Sequence, residues 1–206
     1  MVREIRIYVE GGGDNNDSKS LIRKAFSEFL KDPIKLARSK RIQWSIIACG
    51  GRERTFDAFQ TALTTHPDAF NILLVDSEAP VHSPPWSHLQ QRDHWKQPEG
   101  TTDEQCHLMA QIMEAWLIAD VDALSTFYGQ DFITKAIPRR KNVEEIDKER
   151  LTTALEHATR HTKTGKYHKI RHGPKLLQLV NVQIVRVAAP HCNRLFEILQ
   201  RIMDNK

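Results

Sequence analysis

Thiols are scarce in this 206-residue chain: Cys49, Cys106 and Cys192 are odd in number and far apart. They form no CxxC pair, so buried free thiols in a reducing compartment are expected rather than a disulfide framework or a thiolate metal site. No apolar run approaches the roughly 18 residues that a bilayer span requires. The opening MVREIRIYVE carries charge where a secretion signal would need an apolar stretch. A cytoplasmic protein without membrane attachment is therefore expected. Internal repeats and low-complexity tracts are absent. His157 and His161 are spaced i, i+4, but no Glu follows the first of them, which excludes the zinc motif HExxH, and His191-Cys192 has no companion ligands. The phosphate-cradling loop GxxxxGK[ST] is approached and missed. Gly13 is followed by Ser18-Lys19-Ser20, with serine in place of the second glycine, and Asp14 and Asp17 put negative charge where phosphates would sit.

What is present has the balance of an ordinary globular protein, with 40% hydrophobic and 27% charged residues. The length suits one domain, or one domain with a helical extension, and is ample for a core. The formal net charge is +4, a weak pointer to an acidic partner. Its distribution says more, because Arg139-Arg140-Lys141, Lys163, Lys166, Lys169, Arg171 and Lys175 crowd into one stretch.

The first half of the chain alternates two periodicities. Ile5, Ile7 and Val9 alternate with Arg6 and Tyr8, which predicts a strand ending at Glu10 before the Gly11-Gly12-Gly13 break. Asp17 or Ser18 can cap a helix reaching about Leu30, with Leu21, Ala25, Phe26 and Phe29 on one face. A second strand is predicted over 42–48, stopping at Gly50-Gly51. A helix over about 53–63 follows, burying Phe56 and Phe59, and then a third strand at Ile72-Leu73-Leu74-Val75, whose continuous apolar run marks it as covered on both faces. Strands alternating with helices imply a parallel sheet with right-handed crossovers. Residues 79–102, rich in Pro, His, Ser and Gln, read as a long surface loop of the kind that often serves as a lid or binding loop. Beyond them, helices are predicted over about 106–119, 122–128, 146–160 and 193–203, with a short closing segment at 175–179. The expected organisation is an α/β core over residues 1–103 with helical additions and the basic segment over 104–206, packed as one compact domain.

Ligands in parallel sheets collect beyond the carboxyl ends of the strands. Glu10 ends the first strand there, and Asp76-Ser77-Glu78 ends the third. Crowded carboxylates repel one another, and a hard divalent cation such as Mg²⁺ relieves that repulsion, taking one or two carboxylates together with substrate phosphates. Asp76 and Glu78 flank a single residue, so on an extended segment their side chains leave on the same side. Glu114, on an otherwise apolar helix, needs a partner because a lone buried carboxylate is costly. Either a salt bridge or metal ligation answers that need. Arg52, after the second strand, is either a phosphate clamp or a surface arginine. Lys19, at the start of the first helix, can approach a substrate phosphate. In the basic segment Tyr167, His168, Lys169, Arg171, His172 and Lys175 interleave a ring with cations, which suits a nucleic-acid backbone, although a solvated basic face has the same composition. The tryptophans read as packing residues, with Trp86 and Trp95 open to exposure in the polar stretch.

The run VEGGGD, the later LLVDSE, the FSEFL helix, the CGGR turn, HLMAQIMEAWLIAD, the FYG turn and YHKIRHG together resemble the Toprim-like group DUF4276 from about Ile5 to the final helix. The resemblance implies a Toprim fold, the core shared by topoisomerases, primases and OLD-type nucleases. One acid after the first strand is matched by Glu10, and the later Asp-x-Glu by Asp76 and Glu78. The first would serve as ligand or general acid/base, and the pair would hold Mg²⁺ or Mn²⁺. Neither the topoisomerase tyrosine module nor the primase zinc ribbon is present, so a nuclease acting on nucleic acid is the implied activity. Such proteins are often encoded beside an ATPase in antiphage or DNA-processing operons, which implies a partner ATPase as an expectation. The alternatives are a non-catalytic regulatory or scaffold subunit of an ATPase complex, and a P-loop-like nucleotide binder using Lys19.

Overall fold

The computed structural model describes residues 2–204 of the chain. Four parallel strands, β1 (Glu4–Glu10), β2 (Gln43–Gly50), β3 (Phe70–Asp76) and β4 (Cys106–Met109), form a sheet in the order β2-β1-β3-β4. The register pairs Glu10 with Gly50, Val9 with Leu74 and Asp76 with Met109, so the strands end together. Because the chain moves outward from β1 to β2 and then returns to the other side of β1, the order in which strands are added reverses between β1 and β3. That reversal opens a crevice at their carboxyl ends.

The period of two divides each strand between two cores. Ile5, Ile7, Val9, Ile72 and Leu74 face a larger core. It includes α1 (Asn16–Phe29), α2 (Lys31–Ser39) and most of the C-terminal helices: α5 (Glu114–Ala119), α6 (Val121–Tyr128), α7 (Lys148–Thr159), α8 (Lys169–Leu179), α9 (Val182–Ala188) and α10 (Pro190–Asp204). Tyr8, Leu73, Val75 and Leu108 face a smaller core with α3 (Arg52–Thr65) and α4 (Pro85–Asp93). The continuous apolar run of β3 is thus explained, since the strand is buried on both faces. Among the described residues no helix is long and apolar enough to cross a membrane.

Two expected elements are corrected. Residues 106–119 are not one helix. Cys106–Met109 is the edge strand, and the helix begins only at Glu114. All four strand residues are buried, and a short apolar run reads alike as a covered strand or a buried helix. Residues 79–102 are not a structureless loop either. Pro84 and Pro85 open α4, with Pro85 at the first helical position, where a missing N–H costs nothing. Trp86 and Leu89 bury themselves on Phe59, and Trp95 stacks on Phe56 at 4.3 Å and 5°. Smaller shifts follow local chemistry. Asn15, rather than Asp17 or Ser18, caps α1 by accepting the Ser18 N–H at 2.7 Å. The segment around 175–179 is the end of α8, which begins at Lys169.

Candidate metal centre

The crevice between β1 and β3 gathers the acids. Glu10, Asp76 and Glu78 each present an oxygen within 4.8 Å of the other two. An octahedral Mg²⁺ with metal–oxygen distances of about 2.1 Å spans about 4.2 Å between opposite ligands. Three ligands of one octahedron cannot all be opposite, and adjacent ones stand about 3.0 Å apart, so closing the carboxylates around such an ion draws each oxygen in by up to about an ångström. The donors are all oxygens, which suits a hard cation and not a thiolate or imidazole metal.

Backbone positions each acid. Glu10 is the last residue of β1, and its carboxylate accepts the Asp76 N–H at 3.2 Å across the crevice. Asp76, 2% exposed, accepts the Met113 N–H on one oxygen at 2.8 Å and the Lys169 ammonium on the other at 2.9 Å. Glu78 does not continue the strand. Its φ is +60°, a left-handed conformation unusual for a side-chain-bearing residue, and its N–H is fixed by the Gln111 carbonyl at 2.7 Å. The two acids therefore converge through a turn after Asp76, not through alternation along an extended segment.

Cations surround the cluster. Arg52, just past β2, donates from Nε and Nη2 to both oxygens of Asp93 at 2.9 and 2.6 Å, and from Nη1 to Glu10 at 3.2 Å and to the Asp76 carbonyl. Its guanidinium also lies 4.9 Å from the Trp95 ring, so the segment 79–102 supplies the brace that orients Arg52. Lys148, at the start of α7, donates to Glu78 at 2.8 Å. Lys169 remains 53% exposed while its ammonium bonds Asp76 and stands 3.8 Å from Glu114.

These contacts separate the acids electrostatically. Burial, reinforced by Asp76, pushes the Glu10 carboxyl up to about 7 against the pull of Arg52 and Lys169. Burial would also raise Glu78, but the Lys148 bond and charge overcome it and hold that carboxyl below its ordinary range. Desolvation lowers the Lys169 ammonium, yet Asp76 and Glu114 outweigh it and keep the group above the usual lysine range.

Glu114 opens α5 and is buried at its edge of the crevice. One oxygen accepts the Tyr167 hydroxyl at 2.8 Å, while its Oε2 has no hydrogen-bond partner. Burial raises this carboxyl, with Asp76 adding and Lys169 opposing. Lys19, on the first turn of α1, lies against Gly50, and it is Arg52, Lys148 and Lys169 that bond the three acids. His172 is buried among rings, its Nδ1 within 3.0 Å of the Tyr128 hydroxyl and 3.2 Å of the His168 N–H. Asp93, Lys148 and Tyr167 in these supporting roles escaped sequence reasoning. Only Lys148 left a signal, a cation at a helix N-terminus where the dipole favours acids.

A parallel α/β sheet whose switch point carries three converging carboxylates defines the class: an α/β protein with a candidate site for a hard divalent cation. The family model described as "Domain of unknown function (DUF4276)" matches residues 9–200, and the chain belongs to that family. No curated protein and no solved structure matches it.

Proposed function

We propose that the protein cleaves phosphodiester bonds in nucleic acid with Mg²⁺, or Mn²⁺, held by Asp76, Glu78 and Glu10, as its resemblance to Toprim nucleases implies. The observation that carries this reading is the 4.8 Å convergence of the three carboxylates at the switch point. The Oε2 of Glu114, without a hydrogen-bond partner and with the Lys169 ammonium at 3.8 Å, adds a further oxygen at the same edge. A cation bound there supplies Lewis-acid polarisation of a phosphoryl oxygen and a water acidified toward neutrality.

The chain's own groups divide the remaining work. Glu10, raised to about 7 in the metal-free protein, serves either as the third ligand or, where Asp76 and Glu78 alone hold the ion, as the group that takes or returns a proton at neutral pH. Lys169, half-exposed beside Asp76, is the cation assigned to the substrate phosphate. Arg52 braces Glu10 and the end of β3, since most of its donors already engage Asp93, Glu10 and the Asp76 carbonyl. Beside the acids runs an open groove of about 810 Å³ of mixed charge, where Lys148, Lys169 and His168 stand among Glu78, Glu114, Glu149 and Glu156; its cations are the ones available to a phosphate backbone.

Calorimetric titration with Mn²⁺, followed by cleavage assays on single- and double-stranded DNA and RNA, tests the proposal. Wild type is expected to bind saturably and cut, and Asp76→Asn combined with Glu78→Gln to lose both. Cleavage surviving in that variant would overturn it. Saturable binding without cleavage, alone or with a partner ATPase, would favour the non-catalytic subunit instead.

A further inference from the structure

A second cavity adjoins the acids on the β1 side. It holds about 230 Å³ and is lined by Glu10, Asp76 and Lys169 and by the glycine turns at 11–13 and 50–51. Its remaining walls are apolar: Ile22, Met109, Met113, Ile170 and Pro174. Charged groups and apolar walls together in one small cavity suit a phosphate ester joined to a flat ring.

We infer that this cavity is a nucleobase pocket, holding unstacked the base of the nucleotide next to the phosphate at the acids. The inference rests on the phosphodiester reading above and narrows its substrate class. Four features support it. The volume is below the roughly 300–1,000 Å³ of sites for drug-sized ligands, so it admits a single ring system and not a dinucleotide. Two of the chain's four methionines line it, and thioethers make favourable, adaptable contacts with aromatic rings.

The glycines sort into two groups. At Gly50 a Cβ would fall 2.4 Å from the Gly13 carbonyl oxygen, and at Gly12 2.9 Å from the Lys19 Cα, so these two let the turns pack. Gly51 is different. Its φ of −72° suits any residue, and a Cβ there would meet nothing within 4 Å. A Ser, Thr or Asp at this position would cap α3, which has no side-chain cap. Glycine forgoes that bond and leaves the space beside the acids open.

Lys169 and Ile170 line both this cavity and the open groove. A strand following the groove thus passes the acids and ends with a base in the slot. A base inside a duplex reaches such a slot only by unpairing, at a cost of a few kcal/mol. Single strands and unpaired ends are accordingly the preferred substrates.

Binding of dAMP and of 2-deoxyribose 5-phosphate to the full chain with Mn²⁺ present tests the pocket, since neither probe contains a diester to cleave. We expect dAMP to bind at least roughly tenfold more tightly than the sugar phosphate. Gly51→Val, which fills the space, and Ile170→Asp, which places charge on the solvent-exposed wall, should each shrink that ratio to about twofold. Mn²⁺ titration of both variants reports whether the acids remain intact. Equal binding of the two probes to wild type, or an undiminished ratio in both variants, overturns the pocket whatever the Mn²⁺ result. Loss of Mn²⁺ binding in wild type would instead strike the proposed chemistry.

Discussion

Arg52→Met should be among the most damaging single changes near the site, and its cost follows from the contacts. The arginine makes a two-pronged bond to Asp93 and reaches Glu10 and the Asp76 carbonyl with its other terminal nitrogen. The two paired side chains are 14% and 6% exposed. Removing one partner of a buried ion pair costs about 3–5 kcal/mol, because the other charge stays buried. Here the arginine keeps some water and Asp93 retains a contact from Arg92, which places the loss near the lower end, about 3 kcal/mol. With a urea dependence of about 2 kcal/mol per molar, the unfolding midpoint should fall by about 1.5 M. Adding Asp93→Asn removes the stranded charge and should recover at least about half of that loss. Arg52→Lys should not rescue, since one ammonium cannot reproduce a planar fork bonded on two sides. A midpoint shift for Arg52→Met below about 0.3 M would refute the reasoning. So would a double variant no more stable than the single one.

Two further perturbations are read by the same unfolding assay. Glu10 is held at about 7 in the folded, metal-free protein, above its ordinary 4.5. Its contribution to stability is therefore complete below about pH 4.5 and lost as pH rises through about 7. In chelator, Glu10→Gln should match wild type near pH 5 and exceed it near pH 8 by about 2 kcal/mol, whereas identical pH profiles would contradict the assignment. Glu144, 5% exposed, accepts from the Trp116 indole, from the His191 N–H and ring, and from the Cys192 N–H at the start of α10. Glu144→Ala strands those donors and should destabilise by about 2–3 kcal/mol, with Mn²⁺ binding unaltered; a parallel loss of Mn²⁺ affinity would tie this cap to the site.

The acids were legible because a strand that ends on a carboxylate announces both its direction and its last side chain. Ile5-Arg6-Ile7-Tyr8-Val9 stops at Glu10, Leu73-Leu74-Val75 stops at Asp76, and parallel pairing then forces the two into one crevice. Cys106–Met109 misled because a buried strand of four residues carries no period that distinguishes it from a helix. Residues 79–102 misled because their composition is polar, although Pro84-Pro85 marked a helix start. Arg52 and Lys169 stood out in the sequence, but which side chains pair with which escaped for a deeper reason. Arg52 meets Asp93 across 41 residues, Lys148 meets Glu78 across 70, and Tyr167 meets Glu114 across 53. None of these pairs shares a strand or a helix face, so no local periodicity encodes it. Yet these partners give the carboxylates their separate chemistries: Glu78 is held ionised by Lys148, while Glu10, more deeply buried and pressed by Asp76, holds its proton to near neutrality. Strand ends set where the acids stand, and packing between layers distant in sequence decides which of them can move a proton.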